Sequence, residues 1–262
     1  ELENDKSLQC ANKALEQAIK LNENELSAKA YNLIGLNYAD FSDKNKAIEY
    51  YAKGLVYANK TKNDTIKAWL NNNLANMYCF NKIDFAKGIQ HYKKGLQYSI
   101  NFNDEYEITF TKLDMVTAYF AMGDYQNGVF YLNEVKNYVD TEGDNEAKIT
   151  LNALYADYYN HLLNDDKAEE YYLKTLEYCS KNDIEFIKTH VLNTYKDVSN
   201  FYFRKNDLRK AYDFLKKHDS LKDIVYSQER SLSLNLEGSK IEKNEVKRKI
   251  ERIEEEKKIQ EG

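Results

Sequence analysis

Proline is absent from all 262 residues, and glycine occurs only nine times. So few breakers and left-handed turn formers argue against a many-turned β architecture and favour long helices. Cysteine is nearly as scarce. Cys10, Cys79 and Cys179 are odd in number and far apart. That excludes a disulfide framework and a paired-cysteine metal site, and predicts buried, reduced thiols. No apolar run approaches the ~18 residues a membrane helix needs, and no signal peptide is present. Neither charge sign dominates: 38 Lys+Arg stand against 43 Asp+Glu, a net charge of −5. Without a basic block, nucleic acid is excluded as a partner. Phosphate-cradling loops, HExxH and GxSxG are also missing, and nothing assembles a nucleophile, base and oxyanion site. The expectation is a protein that is not an enzyme, with no cofactor and no metal. The chain opens at Glu1 without Met and stops at Gly262 inside a charged helical pattern, so it reads as a piece of a longer protein.

Tyrosine, by contrast, is abundant, with 23 copies. Tyr38, Tyr78, Tyr119, Tyr159 and Tyr202 each precede a turn, at steps of 40, 41, 40 and 43. A small residue opens each following apolar stretch: Ala47, Gly88, Gly128, Ala168 and Ala211, at steps of 41, 40, 40 and 43. Two independent markers therefore keep one period, the signature of a repeat array. Within a unit, Ile34, Gly35 and Tyr38 share one helical face, and Ala47, Tyr51 and Leu55 share another, with the polar turn "SDKN" between. Each unit is helix A, a short turn, helix B and a longer polar link. A second small-residue series, Gly35, Ala75, Val116, Ala156 and Ser199, marks the helix-A side of the crossing. Tyr51, Tyr92, Leu132, Tyr172 and Leu215 take the large counter-position on helix B. Antiparallel helices approach closely only where a side chain is missing.

The stretches "LIGLNY…AIEYYAKGL" and "YADYYNHLLNDDKAEEYYLKTL" resemble the tetratricopeptide repeat. The resemblance covers about residues 28 to 218, in units of 40 to 43 residues rather than about 34, and without the usual closing proline. It implies an all-α right-handed α-solenoid. The expected organisation is an N-terminal capping helix within 1–27, five repeats over 28–222, and a C-terminal helix or coiled-coil-like linker over 223–262.

The resemblance also implies that helix A lines a concave surface. Residues two and five before each marker tyrosine then face the groove: Leu36 and Leu33, Asn76 and Asn73, Thr117 and Asp114, Asp157 and Leu154, Asn200 and Asp197. Asn72 and Lys196 fall at the edge, with Asn160 and Arg204 a turn further on. Asn is a poor helix former, yet Asn71, Asn72, Asn73 and Asn76 crowd one helix. An amide offers two donors and an acceptor to the main chain of an extended peptide. The expected binding face is Asn72, Asn73, Asn76, Asp114, Thr117, Asp157, Asn160, Lys196, Asp197, Asn200 and Arg204, holding a protein or peptide. The alternative is that these residues form only the wet face every surface helix needs. Asp157 and His161, at i and i+4, are too few to define a metal site, and the lone Trp69 reads as a packing anchor.

Beyond Ala211 the pattern gives way to dense mixed charge. Val246, Ile250 and Ile253 make a thin seam. It would bring two copies together through the C-terminal helix only with help from elsewhere. A repeat array followed by such a helix is similar in arrangement to the input regions of bacterial membrane-anchored histidine kinases and transcription regulators. That likeness implies an extracytoplasmic sensor, tethered beyond residue 262. A free-standing cytosolic scaffold is the other reading. A repeat-based enzyme regulator or phosphatase would need an extra N-terminal bundle, for which the chain has no residues.

Overall fold

A computed structural model describes residues 2–40, 43–180 and 184–224. The order is α1 (Leu2–Lys20), α2 (Asn24–Asp40), α3 (Lys44–Ala58), α4 (Asp64–Phe80), α5 (Phe85–Asn101), α6 (Glu105–Ala121), α7 (Tyr125–Thr141), α8 (Asn145–His161), α9 (Asp165–Ser180) and α10 (Ile184–Arg204). An eleventh helix runs over 208–224. The seam residues Val246, Ile250 and Ile253 lie outside the described residues.

Capping side chains take over the punctuation that proline would supply. Asp43, Asn63, Asp84, Asp104, Asp124 and Asp144 each accept from the backbone N–H three residues on, and Asn164 and Asp207 do the same. Each such cap contributes about 1 kcal/mol. Left-handed residues turn the chain between helices at Asn22, Lys82, Asn103, Gly123, Leu163 and Asn206.

Helices pair with their sequence neighbours, and α2, α4, α6, α8 and α10 also touch one another in series. The helix-B series α3, α5, α7 and α9 makes no such mutual contact among the described residues. One layer is contiguous and the other splayed, so the array curves with the helix-A series inside. The fold is an all-helical solenoid of antiparallel hairpins.

Both small-residue series are buried throughout. A Cβ on Gly35 would sit 2.5 Å from the Tyr51 ring, one on Gly88 would overlap Cys79 Sγ, and one on Gly128 would overlap the Phe120 ring. The missing side chains therefore set the helix separation. The counter-position is fully buried at Tyr51, Tyr92, Leu132 and Tyr172, but Leu215 is 43% exposed. Leu215 stands on the last described helix, with no later unit described against it.

The marker tyrosines have a second partner at the same period. Tyr38 stacks on Tyr50, Tyr78 on His91, Tyr119 on Tyr131, Tyr159 on Tyr171 and Tyr202 on Phe214, at centroid distances of 5.2 to 5.9 Å. In four units the lysine just before the small helix-B residue lies over the marker ring. These are Lys46 on Tyr38, Lys87 on Tyr78, Lys167 on Tyr159 and Lys210 on Tyr202, at 4.4 to 5.0 Å. Asn127 takes that place in the third unit. Burial pushes His91 down to about 4, so the imidazole stacks as a neutral ring. Cys79 and Cys179 are buried and pushed up to about 11, as inert thiols are, whereas Cys10 is exposed against expectation. Cys10 belongs to α1, which packs on α2 alone among the described helices.

Candidate functional site

The asparagines of α4 divide by face. Asn71 is buried; its amide donates to Lys67 O at 2.8 Å, and its Oδ1 lies 2.9 Å from His91 Nδ1. It ties α4 to α5. Asn72, Asn73 and Asn76 turn the other way and line a concave cavity of about 390 Å3 between α2, α4 and α6. Asn32, Leu36, Trp69, Glu107, Phe110, Thr111 and Asp114 complete its wall. Four residues of the expected binding face therefore meet in one cavity.

A polar network fixes these side chains. Asn72 Nδ2 donates to Thr111 Oγ1 at 2.7 Å and to Glu107 Oε2 at 3.4 Å, while Trp69 Nε1 donates to Glu107 Oε1 at 3.0 Å. Asn73 Nδ2 donates to Asn32 Oδ1 at 2.9 Å. The Asn76 side chain meets Tyr92 Oη at 2.5 Å. Turned so that its NH2 faces its acceptors, it donates to Asp114 Oδ2 and Asn72 O, each at 3.3 Å. Asn72 Oδ1 is buried without a hydrogen-bond partner among the described residues and lies over Gly95, where a Cβ would overlap it. Burial, then the charges of Glu146 and Glu107, pushes the Asp114 carboxyl up to about 7, against the pull of Asn76. Burial also raises Glu107.

Trp69 is not a packing anchor: its ring is 39% exposed on the cavity wall. Sequence reasoning also passed over Asn32, Glu107, Phe110 and Thr111. The signal was present: Trp69 precedes Asn76 by seven residues and Glu107 precedes Asp114 by seven, two helical turns along one stripe.

Further along the array the expected residues separate. Thr117 is half-buried and its hydroxyl donates to Leu113 O at 3.1 Å. Leu154, placed in the groove by spacing, is only 7% exposed and packs in a core cluster with Leu132 and Leu113. The helix-B counter-position there is Leu132 rather than tyrosine, so an apolar neighbour closes the junction. Arg204 donates to Asn160 Oδ1 at 3.0 Å and pairs with Asp165, so Asn160 and Arg204 link α8, α9 and α10. Lys196, Asp197, Asn200 and Asp157 are solvent-exposed. The neighbouring walls still crowd bulk water from the two carboxylates. Burial pushes Asp157 up to about 6; burial, then the charge of Asp157, pushes Asp197 up to about 7.

His161 stacks on Tyr125 at 3.6 Å. Among the described residues, no group of three His, Cys, Asp or Glu could hold a metal ion, and no helix is long and apolar enough to cross a membrane. A larger cavity of about 1010 Å3 lies at the far end of the array, lined by Leu176, Val191, Tyr195, Phe214 and Leu221 among others. It holds none of the expected binding residues.

No family model and no curated protein matches the chain. Solved structures do. The apo form of RapI superposes with a TM-score of 0.69 at 15% identity, over 86% of this chain and 79% of that one. The Rap conjugation gene regulator of the plasmid pLS20, in complex with the Phr* peptide, gives 0.64 at 17% identity, over 86% of this chain and 59% of that one. Nearly identical TPR-like repeats from Podosopora anserina give 0.57 at 13% identity, over 76% of this chain and 96% of that one. At these identities the likeness concerns the fold: the chain is built as a TPR-like helical-repeat solenoid.

Proposed function

We propose that the chain is a protein- or peptide-binding module whose concave face holds an extended segment, with no catalytic role of its own. The observation that carries this is the cavity of about 390 Å3, where Asn72, Asn73, Asn76 and Asp114 sit beside exposed Trp69 and Leu36. Ligand pockets combine apolar walls with a few placed polar groups in this way. The regulator of pLS20 with its Phr* peptide, on a similar fold, supports the reading. On this proposal the module is the input region of a signalling or transcription regulator. The output region and any membrane tether would lie outside residues 1–262.

Trp69 is the sole tryptophan and reports directly on the cavity. Heptapeptides selected from a random phage-displayed library on the wild-type chain should shift Trp69 emission in a saturable titration. Asn73→Ala with Asn76→Ala should abolish the shift while circular dichroism stays helical. Unchanged affinity in that double variant would refute the site.

A further inference from the structure

The cavity between α2, α4 and α6 is acidic and holds no cation of its own. Glu107 and Asp114 both stand on its wall, two turns apart on α6 and so about 10 Å along the helix. No lysine, arginine or histidine lines it, and neither carboxylate makes an ion pair among the described residues. Glu146 of α8 adds a further negative charge acting on Asp114.

The donors that do reach these carboxylates are neutral and leave acceptor sites open. Glu107 accepts from Trp69 Nε1 at 3.0 Å on one oxygen and from Asn72 Nδ2 at 3.4 Å on the other. Asp114 has the Asn76 amide at 3.3 Å on Oδ2 alone. A carboxylate offers about four acceptor sites. Both side chains are half-buried on the cavity wall rather than enclosed in the core, so those sites open onto the cavity.

The wall beside them is aromatic. Trp69 is 39% exposed, and Phe110, which lines the cavity with it, packs on Tyr106 at a centroid distance of 4.6 Å. The Trp69 N–H is taken by Glu107. Donation to an anion enriches the indole ring in electron density, which strengthens its attraction for a cation over the ring face.

Any group that fills this space displaces water from Glu107 and Asp114. A neutral side chain would leave both carboxylates desolvated and unpaired, which is strongly unfavourable. An anionic one would meet like charge. A metal ion finds no third acidic, imidazole or thiolate ligand grouped with them among the described residues. We propose that the cavity is the subsite for one cationic side chain, lysine or arginine, of the bound peptide. The inference rests on the concave face being the peptide site. The head group pairs with Asp114 through charge-assisted bonds, and Glu107 adds its attraction from two turns away. The methylene stem lies against Trp69 and Phe110, as the stems of long cationic side chains do on apolar surface.

The test uses random heptapeptides displayed on phage, selected on the full chain, then synthesised and titrated against Trp69 emission. Selected sequences should carry Lys or Arg at one fixed position. Exchanging that residue for norleucine or citrulline should weaken binding to wild type at least about tenfold, the scale of one lost charged contact. In Asp114→Asn the same exchange should weaken binding less than about threefold, a coupling that a merely structural role would not produce. Asp114→Asn should stay folded, because it removes a carboxyl that burial disfavours. Glu107→Gln should also shrink the difference between the two peptides, whereas Asp140→Asn, at an exposed site on α7, should leave it intact. Binders without a fixed cation overturn the subsite and leave the groove standing. So does a fixed cation whose exchange costs as much in Asp114→Asn and Glu107→Gln as in wild type. If no heptapeptide perturbs Trp69, both readings fall.

Discussion

Gly95 touches no ligand, yet the structure makes it a control point for the groove. It stands on α5, behind α4, and a Cβ there would overlap Asn72 Oδ1 and come within 3.3 Å of Ala68 O. In Gly95→Ala the Asn72 amide must rotate, breaking its 2.7 Å bond to Thr111 and loosening its 3.4 Å bond to Glu107. Replacing a helix-interior Gly by Ala contributes about 1 kcal/mol. Losing one to two hydrogen bonds costs about 0.5–1.5 kcal/mol each. The two effects oppose each other, so stability should change by less than about 2 kcal/mol. Binding should fall about tenfold, because a misplaced amide forfeits about 1.4 kcal/mol of contact. Thermal unfolding by circular dichroism reads the first quantity and a Trp69 titration with a selected heptapeptide reads the second. A variant stabilised by the full 1 kcal/mol, with unaltered affinity, would refute the claim that Asn72 is positioned for binding.

Leu163 adopts a left-handed conformation with φ of 57° while 69% exposed. Leu163→Gly should therefore stabilise by about 0.5–1 kcal/mol in chemical denaturation. Asp114, Asp157 and Asp197 are all raised in the folded chain, to about 7, 6 and 7. The folded state thus binds more protons than the unfolded one, and the stability these groups contribute is full below about pH 4 and lost as pH rises through 6 to 7. Urea midpoints should fall between pH 5 and 8. Asp114→Asn should recover about 1–2 kcal/mol at pH 8, a figure reduced for partial solvent screening. Gly128→Val, which drives a branched side chain into the Phe120 ring, should cost about 1–3 kcal/mol in the same assay, because overpacking outweighs the slightly better helix propensity of valine.

The period was legible because its markers serve packing: the tyrosines stack on helix B, and Gly88 and Gly128, like Gly35 of the helix-A series, face rings or sulfur that admit no Cβ. The first cavity was half legible. Asn73, Asn76 and Asp114 follow from counting back from the tyrosine, whereas Trp69 and Glu107 lie two turns deeper along that stripe, on the cavity wall. Leu154 was misplaced for a different reason. Its surroundings depend on Leu132 of the preceding hairpin, a partner that position within one helix does not reveal. Arg204 likewise is held by two residues, Asn160 on α8 and Asp165 on α9, that position within its own helix does not reveal. The tyrosine ladder from Tyr50 to Phe214 keeps the period too, but its meaning needs the stacking geometry.

The central claim is that an extended peptide lies along the inner, helix-A face. A photoreactive benzoylphenylalanine at Leu36, 39% exposed in the groove, can be compared with one at Val56, 58% exposed on α3 of the helix-B layer. Irradiated with a biotinylated heptapeptide selected on the wild-type chain, position 36 should crosslink and position 56 should not. Equal crosslinking at both, or crosslinking at position 56 alone, would contradict the account.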